Sequence, residues 1–285
     1  MNNRWTLVDT PLKLKKAKES LCAAAVIALD TEYDSFRYFR DKLCLLQIQT
    51  GDMTWIIDPL AGLDLSFLGE VLSAPEVLKI FHAGDNDIRI LRRDYEFTFH
   101  NIFDTHRAAA LLGGTRLSLS ALLKHYLSVT LVKEMQRSRW DLRPLRAEQL
   151  DYAALDTAHL IALHRSLDAE LRDKGLAAQA QQIFTGMAEV KWQPKTLDPT
   201  AHRRIAGYDA LTPEQQDRLR RLLRWRFEKA QETNCALFML LTDRQLLDLS
   251  RLENTAATAL SAEVLISPEK ANRFEEELLS ILKEH

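Results

Sequence analysis

The segment VIALDTEYD, residues 26–34, ends an apolar run of β character on two carboxylates, Asp30 and Glu32. A carboxylate withdrawn from water is costly unless it is paired or bound to metal. Two such acids at the end of a core strand therefore suggest a cation there, an exposed strand end being the plain alternative. Side chains alternate across a strand, and the D-x-E spacing puts both acids on one face. Two later stretches add to them: Asp85 and Asp87 in KIFHAGDNDIRIL, and Tyr152 with Asp156 in DYAALDTAHL. The last stretch has helical periodicity, so Tyr152 and Asp156 stand at i and i+4 on one face. Oxygen donors without histidine or cysteine suit two divalent ions of the Mg²⁺ or Mn²⁺ type better than zinc. Such a pair can activate a water and stabilise the leaving oxygen in phosphodiester cleavage.

In its order of D-x-E, a helical Asp and Y-x-x-x-D, the chain resembles the DEDDy 3′→5′ exonucleases. The wording ALDTE, FHAGDND, FDT and QLDYAALD is most similar to the bacterial ribonuclease D family, over roughly residues 20–170. That resemblance implies a ribonuclease-H-like fold and hydrolysis at RNA 3′ ends that releases 5′-monophosphates. Transfer RNA precursors are the natural substrate it suggests. By the same resemblance Asp30 bridges both metals, Glu32 binds the ion holding the attacking water, and Asp156 completes that ion's ligands. Tyr152 orients the water, since a hydroxyl with a reference pKa near 10 is a poor general base. The related histidine subclass carries its histidine at the position held here by Asp151, so the tyrosine subclass is indicated.

The middle motif offers two acids. Asp85 lies where a helix starts and could cap free backbone N–H groups. Asp87 lies in the first turn, where the family places an outer ligand acting through water at the second metal. Asp104 in FDTHR reads as the N-cap of the next helix. His82 ends a core strand and is either a substrate contact or a hydrogen-bonded core histidine. His159 and His164, five apart on a helix, do not share a face.

Candidate substrate contacts form three groups. Phe36, Arg37 and Tyr38, with Phe39 and Arg40, make an aromatic and basic cluster after the catalytic strand, as in single-strand binders or in an amphipathic hairpin. Lys133, Gln136 and Trp140 match the family's K-x-x-Q-x-S-D-W, with Arg139 replacing its acid. Arg146 stands where a helix cap would favour threonine or serine. Residues 218–229 carry Arg218, Arg220, Arg221, Arg224, Arg226 and Lys229 against Glu228 alone, whereas residues 230–285 are acidic in balance. Arg220, Arg221 and Arg224 are the expected RNA footprint, with pairing to the acidic tail as the alternative.

The net charge of −2 gives no global basic field, so nucleic-acid binding must come from such local patches. Cys22, Cys44 and Cys235 have no metal-ligand spacing and read as buried thiols in a reducing compartment. The lysines before Leu21–Leu29 mimic a leader, yet that run leads into Asp30 and Glu32, and a cytoplasmic protein is expected. Neither a membrane nor an obligate protein partner is indicated.

The order of elements predicts an α/β domain over residues 1–185. Three strands joined by hairpins, one turn at Gly51-Asp52, are followed by two strands reached through helices. This is a mixed five-stranded sheet with flanking helices. A linker at 186–207 and a small all-α domain at 208–285 follow, the latter resembling an HRDC module. The leading function is a 3′→5′ exoribonuclease. The alternatives are an oligoribonuclease or DNA exonuclease of the same superfamily, or a catalytically silent RNA-binding protein.

Overall fold

A computed structural model describes residues 4–131, 135, 138–252 and 266–283, which divide into two compact units. The first comprises residues 1–34 and 42–193, and the second residues 35–41 and 194–285.

The first unit opens with β1 (Arg4–Val8), α1 (Pro11–Cys22), β2 (Val26–Asp34), β3 (Lys42–Thr50) and β4 (Met53–Ile57). It continues with α2 (Phe67–Ser73), β5 (Leu78–Phe81), α3 (Asp85–Tyr95), β6 (Ile102–Asp104) and α4 (Thr105–Leu111). Helices α5 (Leu119–Leu127), α6 (Ala147–Ala158), α7 (Leu160–Asp173) and α8 (Ala177–Met187) complete it. The mixed sheet runs β1-β4-β3-β2-β5-β6. Strands β2, β3 and β4 are antiparallel neighbours, while β1, β5 and β6 join in parallel.

There are six strands in this sheet, not five. The additional one, RWTLV, pairs in parallel with β4 from Arg4 opposite Met53 to Val8 opposite Ile57. Its alternation is real, since Trp5 and Leu7 pack toward Ile56 and Leu150 while Val8 enters the opposite core. Five residues with a distant parallel partner leave little local signal.

Strand β2 lies between β3 and β5, so its acids sit at the end of an interior strand. Leu21, Leu29, Ile48, Ile80, Ile88, Leu91 and Leu163 are among the residues of the larger core. A smaller cluster of Leu45, Ile56, Trp140, Leu150, Ala153 and Ala154 packs α6 onto the sheet. The small residues Ala153 and Ala154 let that helix approach closely, which brings Tyr152 and Asp156 to the strand carrying Asp30.

The second unit contains α9 (Pro213–Thr233), α10 (Leu237–Leu240), α11 (Asp243–Ser250) and α12 (Pro268–Lys283). Proline in the first turn and a reciprocal Thr212–Gln215 capping box start α9. Leu219, Leu222, Leu246, Phe274 and Leu278 form its centre, and Phe39, from the segment between β2 and β3, is buried with them. Among the described residues no helix is long and apolar enough to cross a membrane.

Candidate metal centre

Alternation along β2 turns Asp30 and Glu32 to one face, and i,i+4 spacing on α6 turns Tyr152 and Asp156 toward them. The result is a cluster in which one carboxylate oxygen from each of Asp30, Glu32 and Asp156 lies within 4.8 Å of the others. Their side chains are half-buried. Burial raises Asp30 well above the ordinary carboxylate range, and the charges of Asp87, Asp156 and Glu32 raise it further. Glu32 is raised by burial, then by Asp156 and Asp87. Asp30 and Glu32 are thus raised by neighbouring acids, the arrangement that favours either a shared proton or a bound cation. Across the strand from Asp30 is Gln47, fully buried, whose amide nitrogen and oxygen both lack a hydrogen-bond partner among the described residues.

Three carboxylate oxygens gathered within 4.8 Å of one another are the donor set that a hard divalent ion takes. Asp87 stands outside this set of three. It is buried on α3 and accepts a hydrogen bond from the hydroxyl of Thr31. Burial lifts its carboxyl to about 6, with the Thr31 bond opposing the rise. Thr31 was not anticipated from the sequence. It lies between the two acids on β2, and its bond to Asp87 ties α3 to that strand.

Asp85 is not a cap. Gly84 occupies that position, and Asp85 instead pairs with both oxygens to Arg107 at 2.8 and 2.9 Å. A side chain at Gly84 would meet the Phe81 ring at 2.6 Å, so this tight turn requires glycine. Asp104 is the cap of α4, accepting from Arg107 N–H at 2.8 Å and from Gly84 N–H at 2.9 Å. It thus fixes two loops beside the cluster.

Burial, followed by the charges of Asp156, Glu32 and Asp30, pushes the Tyr152 hydroxyl up, and it donates to Asp156. It stays protonated through the neutral range and acts as a hydrogen-bond donor. Trp140, expected at the substrate, is only 2% exposed. Its ring packs 6.1 Å from that of Tyr152, so it backs the tyrosine from within the core. Arg143 holds this loop, bonding both oxygens of buried Asp58 at 2.6 Å and the carbonyl of Trp140 at 2.7 Å. Arg139 pairs with Asp141 at 2.7 Å. At the start of α6 the Arg146 N–H donates to the Gln149 side chain at 3.0 Å, a backbone cap that compensates for the missing hydroxyl.

His82 is half-buried and held through its ring Nδ1. The Thr105 hydroxyl donates to the Phe81 carbonyl, so the 2.9 Å contact of His82 Nδ1 with Thr105 Oγ has the histidine as donor. His159 and His164 are not part of the acid cluster. Lys133 and Gln136 lie outside the described residues. Phe36, Arg37 and Tyr38 belong to the second unit.

Within that unit the basic run on α9 is divided. Arg218 and Arg226 turn inward, where Arg218 bonds the Leu252 carbonyl at 2.7 Å and Arg226 the Leu241 carbonyl at 2.7 Å. Lys229 pairs with Glu232 and Glu277. Arg220 and Arg224 are exposed and Arg221 half-buried, with Arg220 and Arg221 both paired to Asp217. The expected footprint is thus half of the basic run, and within it Arg220 and Arg224 are the exposed residues.

Residues 5–172 match the 3′-5′ exonuclease family, and residues 215–282 match the HRDC domain. The chain is 33% identical over 260 residues to ribonuclease D of Pseudomonas paraeruginosa, covering 90% of this chain and 68% of that protein. It is 39% identical to the exosome complex component 10 homolog of Drosophila melanogaster over 69% of this chain. That match is 22% of the fly protein, so the chain spans about a fifth of the length of these larger relatives. Among solved structures, the catalytic core of RRP6 from Trypanosoma brucei aligns with a TM-score of 0.88 at 25% identity, over 99% of this chain and 80% of that one. Brucella melitensis NrnC with bound Mg²⁺ aligns with a TM-score of 0.57 at 26% identity, over 66% of this chain and 90% of that one.

Proposed function

As the chain belongs to the ribonuclease D family of 3′-5′ exonucleases, we propose that it removes nucleotides from RNA 3′ ends by hydrolysis and releases 5′-monophosphates. The observation that carries this reading is the convergence of Asp30, Glu32 and Asp156 within 4.8 Å, where the neighbouring acids raise Asp30 and Glu32. Asp30, Glu32 and Asp156 would hold two divalent ions, Mg²⁺ or Mn²⁺, with Asp87 contributing from the outer layer. When bound, the ions supply Lewis-acid stabilisation and an activated water.

The remaining roles belong to the chain itself. Tyr152, protonated and braced by Trp140, orients the attacking water by hydrogen bonding. Thr31 keeps the Asp87 carboxylate aimed. Arg220, Arg221 and Arg224 meet phosphates upstream of the 3′ end. The natural substrate on this reading is an RNA of the transfer RNA precursor class. A reducing, cytoplasmic setting agrees with three free cysteines.

Digestion of matched end-labelled RNA and DNA of several lengths with Mg²⁺ or Mn²⁺ tests the proposal. Stepwise shortening of RNA from its 3′ end is the expected result. Equal shortening of DNA would make this a general 3′ exonuclease, and binding without shortening would make it an RNA-binding protein.

A further inference from the structure

The segment between β2 and β3 does not close as a free hairpin. It is seated in the helical unit, where the Arg37 carbonyl accepts from Ala236 N–H at 2.9 Å and the Arg40 N–H donates to the Asn234 side chain at 2.7 Å. Phe39 anchors it, with its ring edge-on to Phe227 at 5.1 Å and its carbonyl accepting from Lys195 at 2.6 Å. Held this way, Phe36 stays 65% exposed, a large apolar area to leave in water. It has neighbours of its own kind: Phe238 of α10 lies 4.8 Å away between ring centroids, and Phe238 and Met239 are each 42% exposed. The Arg37 guanidinium lies 5.7 Å from the Phe36 ring centroid.

We infer that Phe36, Phe238 and Met239 form a stacking platform for the bases of single-stranded RNA, with Arg37 and Arg40 meeting its phosphates. The inference rests on the reading of the chain as an exoribonuclease and adds where its substrate is gripped. Aromatic faces accept any base, and arginine beside them neutralises the backbone, so the grip is independent of sequence. The two arginines give the patch charge complementary to a phosphate backbone, which the rings alone would lack. The hydrogen bonds at Arg37 and Arg40 and the burial of Phe39 fix the platform in advance, which lowers the ordering cost of binding. Phe36 follows Glu32 by four residues, so the strand that carries the acids also delivers the platform's first ring.

The test is fluorescence anisotropy with labelled single-stranded RNA of 5, 10 and 20 nucleotides, ~1 μM or below, in EDTA so that nothing is cleaved. It compares the full chain with its Phe36→Ala/Phe238→Ala double variant. Loss of the rings should weaken binding of the longer strands by about tenfold or more. Phe36→Trp and Phe238→Tyr, which keep a stacking face, should hold near parental affinity, and single-stranded DNA should follow RNA. Unchanged affinity in the double variant, at an unchanged melting temperature, overturns the platform. So does unchanged RNA affinity accompanied by loss of self-association or of binding to anionic vesicles, which would give the patch to a second copy or a lipid surface. The exoribonuclease reading fails separately, if the parental chain with Mg²⁺ or Mn²⁺ shortens no RNA while the platform variants still lose binding.

Discussion

Arg218 and Arg226 in the helical unit and Asp30, Glu32 and Asp156 in the sheet unit are all charges withdrawn from water, but their surroundings differ in kind. Each arginine is met by backbone carbonyls and by a carboxylate, Glu214 for Arg218 and Asp243 for Arg226. Asp30 and Glu32 are raised by neighbouring acids. A buried charge that only supports the fold is neutralised by the protein itself. A charge kept for chemistry is left to be neutralised by something that arrives, and it shifts its pKa until then.

Substitutions separate the two kinds. Asp30→Asn keeps the shape and removes one of the charges that would hold the ions, so RNA cleavage should drop by about a thousandfold or more in the end-label assay. In EDTA its melting temperature should equal or exceed that of the parent, because a repulsion has gone. A variant that cleaves at the parental rate would remove Asp30 from the centre. Asp87→Asn should lower turnover by about a hundredfold with little change in stability, as one outer contribution is lost.

The arginines should behave in the opposite way. Arg226→Met strands the Leu241 carbonyl, and urea unfolding should report a loss of about 2 kcal/mol in the helical unit, the exposed Asp243 contributing little. An activity loss larger than the stability loss would contradict this division of labour.

Acidity gives a smaller and more diagnostic signal. Asp87 titrates at about 6 in the folded chain against an ordinary value of 3.8, so between those values the folded form retains a proton that the unfolded form has lost. Its burden is therefore absent at the acid end and grows as pH rises through 6. Without metal, the melting deficit of the parent relative to Asp87→Asn should widen by about 2–4 °C between pH 4 and pH 7. A deficit that narrows reverses the sign and the argument. Smallest of all, Asp85→Ala loses a partly exposed pair with Arg107, worth under about 1 kcal/mol, and should keep its turnover.

The acids were legible because periodicity alone fixes them: D-x-E on a strand and Y-x-x-x-D on a helix each define a face. The interior strands were legible from their apolar runs and from the Gly51-Asp52 turn. Three features were not. RWTLV is short and its partner β4 is nearly fifty residues away. Phe39 lies in a loop, and no local pattern says which of two cores a loop aromatic joins. On α9 the apolar stripe singled out Arg220, Arg221 and Arg224, but it did not say that Arg218 and Arg226 reach inward to the Leu252 and Leu241 carbonyls. Trp140 was legible as a motif residue but not as a brace, because its depth depends on Arg143 reaching Asp58 across 85 residues.

The seating of Phe39 also sets an order of events at the ribosome. Its carbonyl and Lys195 are 156 residues apart in the chain. At 5–20 residues per second, roughly 8–30 s pass between the emergence of the two, and Phe227 and Leu246 follow later still. Through that interval the sheet must close around a loop whose aromatic anchor has no core to enter. A chain truncated before residue 194 would carry this nascent condition permanently, with Phe36 and Phe39 both presented to solvent. Its poor solubility would then be a property of the severed loop, and replacing Phe39 with a polar residue should restore a well-behaved sheet unit.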